Sequence, residues 1–147
     1  MVAVCGHGIR YLVDAGARTL GDDARRYVAV GRFAARSTPE NAIFIALQHS
    51  GSLRQYSGRL TIRFDLISVG LDRALSDLER AGWRPFIVLE DWEETQFKQQ
   101  FAARSVVGRL DRRPMARQID YGVNIYDPVE RRDVRTGPAE IPRVDCA

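Results

Sequence analysis

The stretch Gln48-His49-Ser50-Gly51-Ser52-Leu53-Arg54-Gln55-Tyr56-Ser57-Gly58-Arg59 brings imidazole, hydroxyl, amide and guanidinium groups into one short span, directly after the apolar run Ala42 to Leu47. A buried strand that turns through His-Ser-Gly-Ser into a helix points free backbone N–H groups at one place, where an anionic oxygen such as a phosphate is stabilised. Ser50, Gly51 and Ser52 are therefore the candidate anion loop, with Arg54 and Arg59 supplying charge. The span lacks both the G-x-x-x-x-G-K-[ST] of a phosphate loop and the G-x-G-x-x-G of a dinucleotide site. The same serines serve equally well as caps of a helical turn.

Acid–base chemistry has three candidates: His49, Asp65 and Glu90. An imidazole titrates near neutral pH, and a neighbouring carboxylate sets its tautomer, which suits a general base. His49 is also a conceivable metal ligand beside Asp65, Glu90 and Asp91. Each of these comes from a separate segment without ligand spacing, so no metal and no cofactor is expected. A Ser–His nucleophile is disfavoured, because adjacent His49 and Ser50 point to opposite sides of an extended backbone. In the acidic cluster Glu90-Asp91-Trp92-Glu93-Glu94, the favourable field at a helix N-terminus accounts for Asp91, Glu93 and Glu94. Only Glu90, at the strand end itself, stays a functional candidate. Trp83 and Trp92 read as packing residues.

The elements that must position these groups follow from periodicity. Residues 1 to 20 form a weak amphipathic stretch interrupted by Gly6, Gly8 and Gly16, and Gly21-Asp22-Asp23 reads as a break and N-cap. A helix is predicted from about Ala24 to Arg36, ended before Pro39. Ala42 to Leu47, apolar throughout, predicts a strand covered on both faces. One helical turn, Leu53 to Tyr56, ends at Gly58. Leu60 to Asp65 alternates apolar and polar residues as a second strand. Leu71 to Ala81 is a helix with Gly82 in its C-cap position, and Phe86 to Leu89 is a third strand. Asp91 and Glu94 are read as the capping pair of a helix to about Arg104. Gln118 to Tyr121 and Val123 to Tyr126 predict a hairpin through Gly122.

Strands alternating with amphipathic helices predict an α/β fold, a three-layer, mostly parallel Rossmann-like sheet with a C-terminal β-hairpin. The expected organisation is an N-terminal segment over 1–21, one α/β domain over 22–128, and an irregular or disordered tail over 129–147. In such a sheet ligands bind beyond the carboxyl ends of the strands. That rule gathers His49, Ser50, Ser52, Asp65, Glu90 and Asp91, with Arg54, Arg59 and Arg63 near the same edge.

Composition bounds the rest. The 147 residues, 45% hydrophobic and 28% charged, support one globular domain with a core. No apolar run approaches the roughly 20 residues that cross a bilayer. Met1 to Cys5 lacks a basic n-region, so the chain reads as soluble with no address label. The net charge is +3 with Lys98 the sole lysine, while the sequence pI is about 9.2. Arginines and acidic residues interleave, and with no basic run nucleic-acid binding lacks support. Cys5 and Cys146 sit near opposite termini, free or bridged according to compartment.

The pattern Pro39-Glu40-Asn41-Ala42, the apolar run, then Gln48 through Asp65 resembles the C-terminal soluble region of bacterial multi-pass membrane glycosyltransferase-like proteins, the protein mannosyltransferase and aminoarabinose transferase group. Leu89-Glu90-Asp91-Trp92-Glu93 and Tyr126-Asp127-Pro128 resemble the same region. Arg25 to Gly31 resembles the segment after the last membrane span. The resemblance covers roughly residues 20 to 128. It implies an accessory, extracytoplasmic domain beside membrane-embedded glycosyltransferase helices or a polyprenyl-phosphate headgroup. The catalytic carboxylate of that group lies on an early loop between membrane helices, to which nothing here corresponds, so no catalytic residue carries over. Two other readings stay open. One is a small stand-alone enzyme acting on a phosphorylated or carboxylated substrate. The other is a nucleic-acid or protein interaction module.

Overall fold

Ala42–Ala46 (β1) is buried at all five positions, as an uninterrupted apolar run requires. The computed structural model that shows this describes residues 17–129 and 137–144, with side chains from Ala24 onward. The readings made for the first sixteen residues, for Cys5 and for Cys146 lie outside the described residues.

β1 runs parallel to both of its neighbours, β2 (Leu60–Arg63) and β3 (Arg84–Glu90). Beyond β3 come three short strands: β4 (Ala116–Gln118), β5 (Val123–Tyr126) and β6 (Ala139–Glu140). β5 is antiparallel to β3 and to β4, and β6 lies parallel to β4. The sheet order is β2-β1-β3-β5-β4-β6. This is an α/β fold with a mixed six-stranded sheet.

The two-residue period of the strands assigns the faces. Phe44, Ala46, Phe86, Val88, Val123 and Ile125 point to one side, where they pack on Ala29, Val30 and Ala34 of α1 (Ala17–Ser37) and Leu53 of α2 (Ser50–Ser57). Ile45, Ile87, Leu89 and Tyr126 point to the other. There they meet Leu71 and Leu75 of α3 (Leu71–Arg80) and Phe97 and Phe101 of α4 (Asp91–Phe101). Phe97 stands edge-on to Phe64, with ring centroids 5.3 Å apart, a favourable aromatic geometry. Two helices on each face make the three layers.

The chain departs from the sequence expectation at several boundaries. α1 extends back to Ala17 and passes through Gly21, Asp22 and Asp23 without the expected break. A single helical glycine costs only about 1 kcal/mol, less than a helix packed on a sheet recovers. α2 spans two turns rather than one, because its first turn begins at Ser50, and it ends as expected at Gly58 with φ 68°. The capping pair of α4 is Glu90 and Glu93, one residue earlier than Asp91 and Glu94. The segment after residue 128 is not wholly irregular: Ala139–Glu140 adds the outermost strand, and Ile141 is buried in the α1-side core. Its pairing with β4 is a long-range contact that no local pattern encodes. Among the described residues no helix is long and apolar enough to cross a membrane.

Candidate functional site

The crossover from β1 to β2 through α2 runs on one face, and the return from β2 to β3 through α3 runs on the other. The order β2-β1-β3 therefore reverses direction at β1 and β3, and the crevice beyond their carboxyl ends is the topological switch point where open α/β sheets bind ligands. His49 follows β1 and Glu90 ends β3, so the fold delivers two of the three acid–base candidates to that crevice.

They meet there. His49 Nε2 lies 3.1 Å from Glu90 Oε1, with both residues buried. The Trp92 indole N–H donates to Glu90 Oε2 at 2.7 Å, and the Arg26 guanidinium of α1 approaches Oε1 at 3.6 Å. Burial by itself would push the Glu90 carboxyl up. The hydrogen bonds with His49 and Trp92, together with the Arg26 charge, outweigh it and hold the group below the ordinary glutamate value. Nδ1 of His49 is buried and has no hydrogen-bond partner among the described residues. Its ring leans on Tyr27, with centroids 4.9 Å apart.

Glu93 completes the cluster. Its Oε2 accepts the Glu90 amide at 2.8 Å, and its Oε1 accepts the Gln48 amide, also at 2.8 Å. One buried carboxylate thus ties the turn after β1 to the turn after β3. Burial raises its pKa, the two backbone hydrogen bonds work against that rise, and the neighbouring Glu90 charge adds to it. Sequence reasoning assigned Glu93 to the favourable field at a helix N-terminus and Trp92 to packing, and Glu93 does lie in the first turn of α4. Glu93 is also fully buried there, while Trp92 is 56% exposed and hydrogen-bonded. The E-D-W-E spacing held the signal, since a Glu three residues after a strand-terminal Glu completes a capping box.

Asp65 does not join the cluster. Both its oxygens are held by the Arg63 fork, at 3.0 and 2.6 Å, on an exposed surface. That hydrogen-bonded pairing, with Arg63's charge, lowers the Asp65 pKa against its slight burial. The candidate anion loop is also arranged differently from expectation. The Ser50 hydroxyl donates to Leu47 O at 2.8 Å and the Ser52 hydroxyl to His49 O at 3.1 Å, so both protons turn back onto the chain. Gly51 and Ser52 keep first-turn amides, which have no intrahelical acceptor. Arg54 is exposed. Arg59 sits at the opposite edge of the sheet, where its guanidinium reaches the Ala35 and Thr38 carbonyls at the end of α1. It precedes β2 rather than following it, so the parallel register carries it away from Ser50.

A second polar network lies on the α4 face. Asn124 Nδ2 donates to Asp91 Oδ1 and to Glu94 Oε1, both at 2.8 Å, and Tyr126 donates to the same Glu94 oxygen at 2.5 Å. Arg117 closes it against Asp91 at 2.9 Å. Burial, then the Glu94 hydrogen bond and charge, push the Tyr126 phenol far above its ordinary value. Among the described residues no group of three or more His, Cys, Asp or Glu side chains is placed to hold a metal ion.

No family model, curated protein or solved structure matches the chain. The site is therefore read from its own geometry. Beside the filled crevice, α1 and α2 border an open cleft of about 420 Å³ lined by Tyr27, Gln48, Gly51, Ser52, Gln55 and Tyr56.

Proposed function

We propose that this chain is an accessory domain, non-catalytic by itself, of the kind attached to polyprenyl-phosphate-sugar-dependent membrane glycosyltransferase-like proteins. One observation carries the reading: the crevice at the switch point is filled by the chain's own Arg26, His49, Glu90 and Glu93. Each acid–base candidate in it is engaged in holding the fold. Glu90 receives His49 and Trp92, Glu93 receives two backbone amides, and His49 is wholly shielded from solvent. A general base must reach the proton it abstracts, directly or through one water, and a fully buried ring offers no such path. The sequence resemblance along Pro39 to Asp65 and Leu89 to Glu93 supports the same reading.

The test combines an assay with a partner experiment. The purified chain is offered polyprenyl-phosphate-linked mannose and aminoarabinose with protein and lipid acceptors, and no transfer is expected. It is also co-expressed with the product of the upstream reading frame, expected to be rich in apolar segments of about 20 residues. Co-purification in detergent is the supporting result. Turnover by the chain alone that disappears in Glu90→Gln overturns the proposal in favour of a stand-alone enzyme.

A further inference from the structure

The cleft between α1 and α2 is separate from the filled crevice, and its lining has a definite chemistry. At about 420 Å³ it falls within the roughly 300–1,000 Å³ of small-molecule sites. No lining side chain carries a formal charge. The Tyr27 hydroxyl accepts from Gln48 Nε2 at 2.8 Å and from Arg26 at 2.9 Å, which fixes its position and leaves its own proton to donate. Gln48 is thereby oriented, with its side-chain oxygen still an acceptor. The Ser52 hydroxyl spends its proton on His49 O, so toward a ligand it can only accept. The Gly51 and Ser52 amides donate, and the exposed Gln55 amide does both. Tyr56, 43% exposed, offers an aromatic surface. Its place is set by Gly31, where a Cβ would come within 2.5 Å of the Tyr56 Cβ.

We infer that this cleft binds a neutral polyhydroxylated ring, a monosaccharide unit or a short oligosaccharide. A phosphate is an anion that offers mainly acceptor oxygens, and the Gln48 side-chain oxygen and the Ser52 hydroxyl oxygen would face it unfavourably. A sugar hydroxyl both donates and accepts, which matches interleaved donors and acceptors. The apolar C–H face of a pyranose packs on an exposed aromatic ring such as Tyr56. The inference does not depend on the accessory role proposed above.

The experiment is an amide chemical-shift titration of the isotope-labelled full chain. The probes are methyl glycosides of glucose, mannose, galactose, N-acetylglucosamine and arabinose, with inorganic phosphate as a separate arm. At least one glycoside is expected to move the Gly51, Ser52 and Gln55 amides saturably, while phosphate leaves them in place. Tyr56→Ala is expected to weaken that binding about tenfold or more. Gln55→Leu, at an exposed position, gives the same readout if Tyr56→Ala fails to fold. Three results overturn the inference: no saturable shift with any glycoside, saturable shifts with phosphate alone, or sugar binding undiminished in both variants. A chain that binds no glycoside and still co-purifies with its membrane partner leaves the accessory role standing.

Discussion

His49 Nε2 lies 3.1 Å from Glu90 Oε1 although 41 positions separate the two residues. Neither strand could hold its own end of this pair. The pairing of β1 with β3 brings the two chain turns together, and the buried contact then fastens them.

This coupling is measurable in a double-mutant cycle. His49→Ala leaves a cavity and a buried carboxylate short of one partner, and is expected to cost about 2–4 kcal/mol. Glu90→Gln removes the charge at nearly constant shape and is expected to cost about 1–3 kcal/mol. The two losses should fall short of additivity by about 1–3 kcal/mol in urea unfolding. Strict additivity would mean that the contact contributes nothing.

The acid limb of stability should report Glu90. Its folded pKa lies below the unfolded value of about 4.5. Its contribution is therefore whole above that value and is lost as pH falls through the folded one. Glu93, whose folded pKa is raised, works in the opposite sense, and Glu90→Gln also relieves the part of that rise that the Glu90 charge adds. The stability difference between these two proteins should accordingly narrow as pH drops below about 4.5. A difference that stays constant into acid would show that Glu90 is not held ionised.

The alkaline limb should report Tyr126. The phenol's folded pKa is raised above its unfolded value of 10.0, so the stability it lends is complete below that pH and declines above it. Tyr126→Phe is expected to lose about 1–2 kcal/mol at neutral pH through the missing Glu94 hydrogen bond, and to flatten the decline above pH 10.0. An unchanged alkaline slope in the variant would rule this assignment out.

Gly31 lets α1 and α2 touch. A methyl group there meets the Tyr56 Cβ at 2.5 Å and Ser52 O at 3.2 Å, and neither neighbour is the free end of a flexible chain. Gly31→Ala should cost about 1–3 kcal/mol as an overpacked contact, against the helix-propensity gain the same change brings elsewhere. Thermal unfolding decides it, and a raised melting temperature would contradict the close approach.

Ile141 tests whether the chain beyond β6 belongs to the fold. It is 2% exposed and packs with the α1-side core. Ile141→Ala is therefore expected to cost about 2–4 kcal/mol. A change within about 0.5 kcal/mol, the ordinary surface value, would detach this segment from the core.

Much of the architecture was legible because it is local. An apolar run longer than a turn, as in Ala42 to Leu47 or Phe86 to Leu89, has one low-energy arrangement in water, a strand covered on both faces. Leu71, Ala74, Leu75 and Leu78 recur at helical spacing, and Gly58 and Gly82 stop helices where a positive φ is needed. The same reading placed His49 and Glu90 at strand ends. Boundaries were less legible, because Gly21 weakens a helix by an amount that packing against the sheet outweighs.

What the amino-acid sequence determined by itself was therefore the class of fold, the α/β alternation, and the residue types at the carboxyl edge of the sheet. Tertiary structure decided how those residues are used. It set His49 against Glu90, buried Glu93 between two turns, drew Asp65 away to Arg63, carried Arg59 to the far edge, and added β6 from a segment that reads as irregular. Periodicity records which face of an element is apolar, since burial depends on neighbours a few residues away. The partners of a carboxylate or a guanidinium depend on strand order and register, and these arise only when distant segments pack.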